Sequence, residues 1–279
     1  MKLLTINTHS LVEQDYDQKL VQLVAFLLQE QPDVIAMQEV NQSIEAAAVQ
    51  PEAGYVHCTQ NHIPLREDNH ALQTARRLEQ AGLAYQWTWV PAKIGYSRYD
   101  EGMALFSLTQ PLEQVTFRYI SRSSDYQNWQ SRIALGAKIG NDWFYTVHMG
   151  WWDDPDEPFQ HQWQVLQDDL GSLSETVWLM GDFNSPAELP RQGYELIQHS
   201  GWYDTYLLAR EKDNGITVEE AIDGWRNQMD NPSLCGNGMR IDHIWCSRNV
   251  RIASSSVVLN RKNGMKISDH FGVMIATES

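Results

Sequence analysis

Asp182 and Asn184 stand two residues apart in Gly181-Asp-Phe-Asn184, directly after the apolar run Val-Trp-Leu-Met over 177–180. On an extended backbone that spacing puts a carboxylate and a carboxamide on one face and turns Phe183 into the core. Such a pair at the end of a buried strand can orient a water molecule against a phosphorus atom. Alone, the tetrapeptide also reads as an Asx-rich turn, so its meaning depends on what else ends a strand. Asn7 ends the first apolar run, Glu39 the second and His148 a middle one, while Asp242 opens a late run and Asp269-His270 precedes the last. Each alone is an ordinary cap or a hydrogen-bonded side chain. Gathered on one rim, they would make a site rich in carboxylate, carboxamide and imidazole.

The elements that must position these groups follow from the hydrophobic period. Strands are expected over 2–8, 33–38, 85–90, 103–108, 112–119, 133–139, 143–149, 177–180, 241–246, 250–259 and 271–276. Helices are expected over 17–29, where Leu20, Val24, Leu27 and Leu28 form one stripe, and over 42–49, 70–81, 159–173 and 194–199. Residues 51–69 read as loop. The stretch 211–239, rich in Gly, Asn, Asp and Pro, is long enough to be a functional loop or lid carrying Trp225 and Arg226. Helices and strands recur in two similar halves with no linker or repeat. The chain is therefore expected to be one domain over 1–279, an α/β fold of two sheets packed face to face with helices outside.

Bulk composition narrows the partners. A chain of 279 residues with 42% hydrophobic and 20% charged residues can bury a large core. Its 21 basic and 36 acidic residues give a formal charge of −15, and no cluster of Lys and Arg offsets it, which disfavours a nucleic-acid partner. The first nine residues do not read as a signal peptide and no apolar run reaches membrane-spanning length. Cys58, Cys235 and Cys246 share no metal-ligand spacing, so a reduced, cytoplasmic protein without a membrane partner is expected.

In chain order, Asn7, Gln38-Glu39-Val40, Glu101-Gly102, His148, Gly181-Asp-Phe-Asn184, Arg240-Ile-Asp242 and Ser268-Asp-His270 resemble the motifs of the endonuclease/exonuclease/phosphatase superfamily. That superfamily includes deoxyribonuclease I, exonuclease III and the neutral sphingomyelinases. The resemblance covers nearly the whole chain and implies a four-layer α/β sandwich: two mixed β-sheets face to face, with helices on both outer faces. It also implies metal-dependent phosphoester hydrolysis, with Glu39, Asn7 and Asp269 holding Mg²⁺ or Mn²⁺, ions suited to oxygen donors. Asp182 would handle the attacking water, Asn184 and His270 would hold the phosphoryl group, and Asp242 would orient His270. Glu101 would pair with His148. Where some superfamily nucleases carry an Asp, this chain has His9, a poorer Mg²⁺ ligand that suits substrate or a softer metal.

Within the superfamily, Asn7-Thr-His-Ser10, Gly95-Tyr-Ser-Arg-Tyr-Asp-Glu-Gly102, His148-Met-Gly-Trp-Trp152, Gly181-Asp-Phe-Asn-Ser-Pro-Ala187 and Ile222-Asp-Gly-Trp225 are similar to the bacterial maltose 6'-phosphate phosphatase group. That likeness implies a small phosphorylated sugar as substrate. Trp151, Trp152 and Trp225 could pack against its rings, and Tyr96, Arg98 and Arg132 could meet its phosphate; Lys93 reads as an ordinary surface cation. The alternatives are a phosphodiesterase (nuclease or sphingomyelinase-like) and a non-catalytic binding module of the same fold.

Overall fold

Apolar residues on both faces of a strand call for cover on both sides, and residues 3–6 and 177–180 are buried throughout. The computed structural model, which describes residues 1–50, 54–219 and 238–278, supplies that cover in layers. In chain order the elements are β1 (Lys2–Asn7), α1 (Tyr16–Glu30), β2 (Val34–Ser43), α2 (His70–Gln80), β3 (Gln86–Gly95), β4 (Tyr99–Ser107), β5 (Leu112–Tyr119), β6 (Ile133–Ile139) and β7 (Asp142–His148). Then come α3 (Phe159–Leu170), β8 (Thr176–Asp182), α4 (Gly193–His199), β9 (Tyr203–Asp204), α5 (Thr205–Leu208), β10 (Ala209–Lys212), β11 (Asp242–Cys246), β12 (Ile252–Val258) and β13 (Gly272–Thr277).

One sheet has seven strands in the order β10-β12-β13-β1-β2-β4-β3; the other has six, β5-β6-β7-β8-β11-β9. Each contains a parallel pair, β1 with β2 and β7 with β8. A helix, α1 or α3, makes the crossover between the two strands of each pair. Leu3, Val34 and Leu105 meet Leu135, Phe144, Trp178 and Ile244 between the sheets. The alternate residues Leu4, Ile6, Ile35 and Met37 pack under Leu20, Leu23 and Leu27 of α1 and Leu72 and Leu78 of α2. On the far side, Val147, Val177 and Leu179 pack under Trp163 and Leu166 of α3 and Ile197 of α4. This is the expected sandwich of two mixed sheets with helices on both outer faces. Among the described residues no helix is long and apolar enough to cross a membrane.

Several expected elements change. No helix forms over 42–49; β2 runs on to Ser43 and the chain then turns. The polar side chains there are tied to neighbours instead: Gln42 donates to Pro64 O and Asp100 Oδ2, both at 2.9 Å, and Ser43 N to Asp68. Strands β2, β3 and β4 are all longer than their apolar runs, because their polar ends form a hairpin that reaches the site. Helix α3 stops at Leu170, before the expected 173. Residues 211–212 belong to β10, and a bridge between Val218 and Met239 closes the base of the expected long loop. Trp225, Arg226, Cys235 and the segment 222–225 lie outside the described residues.

Candidate active site

The carboxyl ends of the parallel pairs β1–β2 and β7–β8 meet across the sandwich, where open α/β sheets bind ligands. On the first sheet Asn7 closes β1, and Glu39 sits at an irregularity in the β2–β4 pairing between Met37 and Val40, with φ 52°. The bulge re-aims its side chain out of the ladder. On the second sheet His148 pairs in register with Asp182, and Asp182 with Asp242, so three adjacent strands present three functional groups side by side. Gly181 makes that approach possible. Its φ is 151°, and a Cβ there would lie 2.0 Å from Val147 O.

Asp182 is the meeting point. Its Oδ1 accepts the Asn184 backbone N–H at 2.8 Å, and its Oδ2 accepts Asn7 Nδ2 at 3.2 Å. The same Oδ2 lies 3.6 Å from His148 Nε2 and 3.8 Å from His270 Nε2. Burial, and then the nearby Asp242 carboxylate, push the Asp182 carboxyl up to about 7. Burial pulls His270 towards neutrality, but the Asp242 and Asp182 carboxylates override it and hold the imidazole charged, its Nδ1 2.9 Å from Asp242 Oδ2. His148 is pushed the other way, first by burial and then by Arg132, Lys93 and His270, so it stays neutral. One buried site thus holds an imidazolium and a neutral imidazole on either side of one carboxylate.

Glu39 faces the same space. Its Oε1 accepts Asn7 Nδ2 at 2.8 Å and lies 3.9 Å from His148 Nδ1. Burial and then the Glu101 charge push its carboxyl up. Crowded, desolvated carboxylates of this kind are the environment a divalent cation relieves, and Glu39, Asp269 and the carboxamide oxygen of Asn7, which here accepts His9 N at 3.2 Å, would offer it oxygen donors. The residues therefore fit Mg²⁺ or Mn²⁺. Two other groups bring ligand atoms within 4.8 Å of one another, Asp182–Asp242–His270 and His9–Glu13–Asp269. In the first, Asp242 and His270 already bind each other; in the second, Glu13 is held by Lys19 and His9. Glu39 and Asn7 also bind each other, and what sets Glu39 apart is its burial beside the Glu101 charge.

The expected site residues divide cleanly. His9, Glu39, Tyr96, Glu101, Arg132, His148, Trp151, Asp182, Asn184, Asp269 and His270 line one cavity of about 300 Å³. Asn7 and Asp242 lie directly behind it through their bonds to Asp182 and His270. Four expectations fail. Glu101 does not pair with His148: its Oε1 is 3.1 Å from Lys93 Nζ, and Gly95 leaves it room, since a Cβ there would lie 2.3 Å from Glu101 Oε2. Lys93 is accordingly no surface cation but a buried one, 6% exposed, in the cavity wall. Arg98 lies outside the cavity, stacked on the Tyr99 ring at 4.7 Å. Trp152 packs against Phe159, with centroids 6.2 Å apart, in the core beneath α3.

Trp129 is a lining residue that the sequence reading missed. Its signal was faint: one of two aromatics, with Tyr126, in an otherwise polar stretch over 121–131. His9 occupies the position of the missing carboxylate, with φ 48°, its Nδ1 2.8 Å from Glu13 Oε1 and its Nε2 3.2 Å from Tyr96 OH. Burial disfavours its charge, but the hydrogen bond to Glu13 and the surrounding carboxylates raise its pKa to about 9.

Two stacked sheets with imidazoles and carboxylates at their shared strand ends define a class of phosphoester hydrolases. The endonuclease/exonuclease/phosphatase family model matches residues 4–270, and the chain belongs to that family. Its members hydrolyse phosphoesters, as phosphatases or as nucleases, and typically depend on a divalent metal. A family protein from Leptotrichia buccalis superposes with a TM-score of 0.82 at 28% identity, all of both chains being covered. A mannosyl-6-phosphatase from Bacteroides thetaiotaomicron gives 0.65 at 15% identity, again over all of both chains. A 3' phosphatase from Neisseria, bound to a product DNA hairpin, gives 0.62 at 18% identity and full coverage of both. These last two likenesses show the fold alone. No curated protein matches the chain in sequence.

Proposed function

We propose that the protein is a metal-dependent phosphomonoesterase acting on a small sugar phosphate, with maltose 6'-phosphate the first substrate to test. The observation that carries this reading is the pair of buried cations in the cavity wall. Arg132 is 5% exposed; among the described residues its NH1 reaches only the backbone oxygens of Trp129 and Ser131, and its buried Nε has no partner. The Glu101 and Glu39 charges lie near enough to favour this buried guanidinium, but no carboxylate among the described residues pairs with it directly, and a ligand anion would complete it. A terminal monoester carries a second negative charge for Arg132 to meet, while Lys93 keeps Glu101 as its partner; a diester carries only one. The net charge of −15 adds repulsion along a polyanion but little for one phosphate. That one solved structure of this fold is a mannosyl-6-phosphatase supports the sugar phosphate further.

In the proposed reaction a water oxygen attacks phosphorus, the ester P–O bond breaks, and the sugar oxygen leaves as an alkoxide that takes from solvent a proton equivalent to the one Asp182 accepts and then releases. Asp182 takes the water's proton, its carboxylate aimed by the Asn184 N–H and Asn7. His270, kept charged by Asp242, stabilises the phosphoryl oxygens, and Asn184, its side chain anchored on Met149 O at 2.9 Å, forms the adjoining wall. Neutral His148 donates to a phosphoryl or leaving oxygen. When bound at Glu39, Asn7 and Asp269, a divalent ion supplies charge neutralisation and stabilises the leaving alkoxide.

The test is phosphate release with Mg²⁺ or Mn²⁺ across maltose 6'-phosphate, other sugar phosphates, mononucleotides, plasmid DNA and sphingomyelin. Sugar phosphates should turn over best, a chelator should stop the reaction, and Arg132→Met should remove most monoester turnover. Faster cleavage of DNA or of a diester would overturn the proposal.

A further inference from the structure

We infer that Trp129 and Trp151 form a subsite for the sugar ring of the leaving group, Trp129 as an apolar platform and Trp151 as a hydrogen-bond donor. The inference rests on the phosphomonoesterase reading and names the part of the substrate beyond the phosphate.

Trp129 is 53% exposed, a large apolar surface left in water at the mouth of the catalytic cavity. Its display is not the accident of a loose loop. The Asp125 and Asn128 side chains accept Gln127 N at 2.9 Å and Gln130 N at 3.0 Å, and Ser131 N donates to Asn128 O at 3.0 Å. Tyr126 OH donates to Asp100 Oδ1 at 2.7 Å, and Gln130 Nε2 to Asp154 Oδ2 at 2.8 Å, which ties the loop to both flanks of the site. Arg132 donates to Trp129 O at 3.3 Å, so the proposed phosphate cation and the platform share one anchor. A pinned backbone presenting an exposed indole is the arrangement of a contact surface built before the ligand arrives.

Trp151 supplies the second observation. Its ring packs against the small cluster of Leu189, Val218, Met239 and Ile241, and its centroid is 6.0 Å from that of Trp129 at 49°. Its Nε1–H is buried and has no acceptor among the described residues, although buried indole N–H groups ordinarily find one. A ligand oxygen completes it. A sugar ring offers an apolar C–H face for the exposed indole and hydroxyl or ring oxygens for the donor, and Trp129 and Trp151 both line the cavity that holds Asp182 and Arg132. A base offers a flat face too, so stacking alone does not exclude a nucleotide.

The experiment uses Trp129→Ala and Trp151→Phe, the latter keeping a ring and deleting the donor, with two readouts. In the first, kcat/KM is measured on maltose 6'-phosphate, on adenosine monophosphate and on glycerol 3-phosphate, which has no ring. Each variant should lose about tenfold or more on maltose 6'-phosphate, mainly through KM, and little on glycerol 3-phosphate. Equal losses on both, or none on either, would overturn the subsite, and a loss confined to adenosine monophosphate would reassign it to a base. In the second, calorimetric titration with maltose itself reads the subsite without hydrolysis. Binding to the unmodified protein that both variants lose supports it; binding that either variant leaves unchanged counts against it. If the unmodified protein binds maltose yet hydrolyses no monoester, the functional reading fails while the subsite stands.

Discussion

Three groups converge on Asp182 Oδ2 (Asn7, His148 and His270), and a fourth, the Asn184 N–H, occupies Oδ1. A carboxylate held this way is aimed but still basic, because burial raises its pKa to about 7 while the donors around it fix its direction. Asp182→Asn keeps the shape and removes the base. Phosphate release should fall by about 10²–10⁴ with the fold intact, checked by turnover alongside the circular dichroism melt. Turnover within a few-fold of the unmodified protein would remove Asp182 from the mechanism. At this scale the strand-end polar residues were legible in the sequence, because the end of an apolar run marks where a side chain meets solvent or a site. The pairing of Glu101 with Lys93 was not. Their partnership depends on the β3–β4 hairpin register, which sets Lys93 opposite Glu101, and on Gly95 leaving room between them.

Between the two sheets, elements rather than single residues set the width of the site. Gln38, next to Glu39, crosses from the first sheet to donate to Thr146 Oγ1 of the second at 2.8 Å. The parallel pairing of β7 and β8 brings Val147 O so near Gly181 that no side chain fits. Gly181→Ala should therefore cost about 3 kcal/mol or more, from the overlap and the positive φ together. Urea unfolding should show a lower midpoint with an unchanged slope; an unaltered midpoint would mean the strands part at no cost. Most of the helices and strands followed from apolar period, the short elements over 203–212 did not, and one false expectation is instructive. Residues 42–49 read as helix because they lack turn residues, yet Gln42 is buried among polar partners that only tertiary packing brings near, Asp100 and Pro64.

For the molecule as a whole, buried neutral histidines tie stability to pH. His70, the first residue of α2, shares a hydrogen bond of 3.0 Å between its Nδ1 and the Tyr16 hydroxyl of α1, and burial lowers its pKa from 6.5 to about 3. A base whose folded pKa is depressed contributes stability that is fully present above 6.5 and is lost as pH falls towards about 3. His243, also near 3 through burial and then Arg240, acts in the same sense. The raised carboxyls of Asp182 and Glu39 act in the opposite sense, so the net curve mixes both. A difference isolates one residue. The destabilisation caused by His70→Gln should be largest at pH 7 and shrink by about 1.4 kcal/mol per pH unit well below 6.5. Denaturant titrations of both proteins at pH 7, 6 and 5 measure it, and a constant difference would show that His70 does not titrate on unfolding.

What the sequence determined by itself was local in origin: which runs are buried strands, where they end, and hence the chain order of Asn7, Glu39, His148, Asp182, Asp242 and His270. Those features depend on neighbours a few residues away, and the alternation of apolar and polar side chains records them directly. Only the tertiary structure decided which cations and aromatics join them. Lys93 and Arg132 became buried charges in the cavity, Arg98 and Trp152 were turned away from it, and Trp129 was set at its mouth. An exposed Arg and a buried one have the same signature in the chain. The free energy that separates them, desolvation against pairing, exists only once distant strands are brought together.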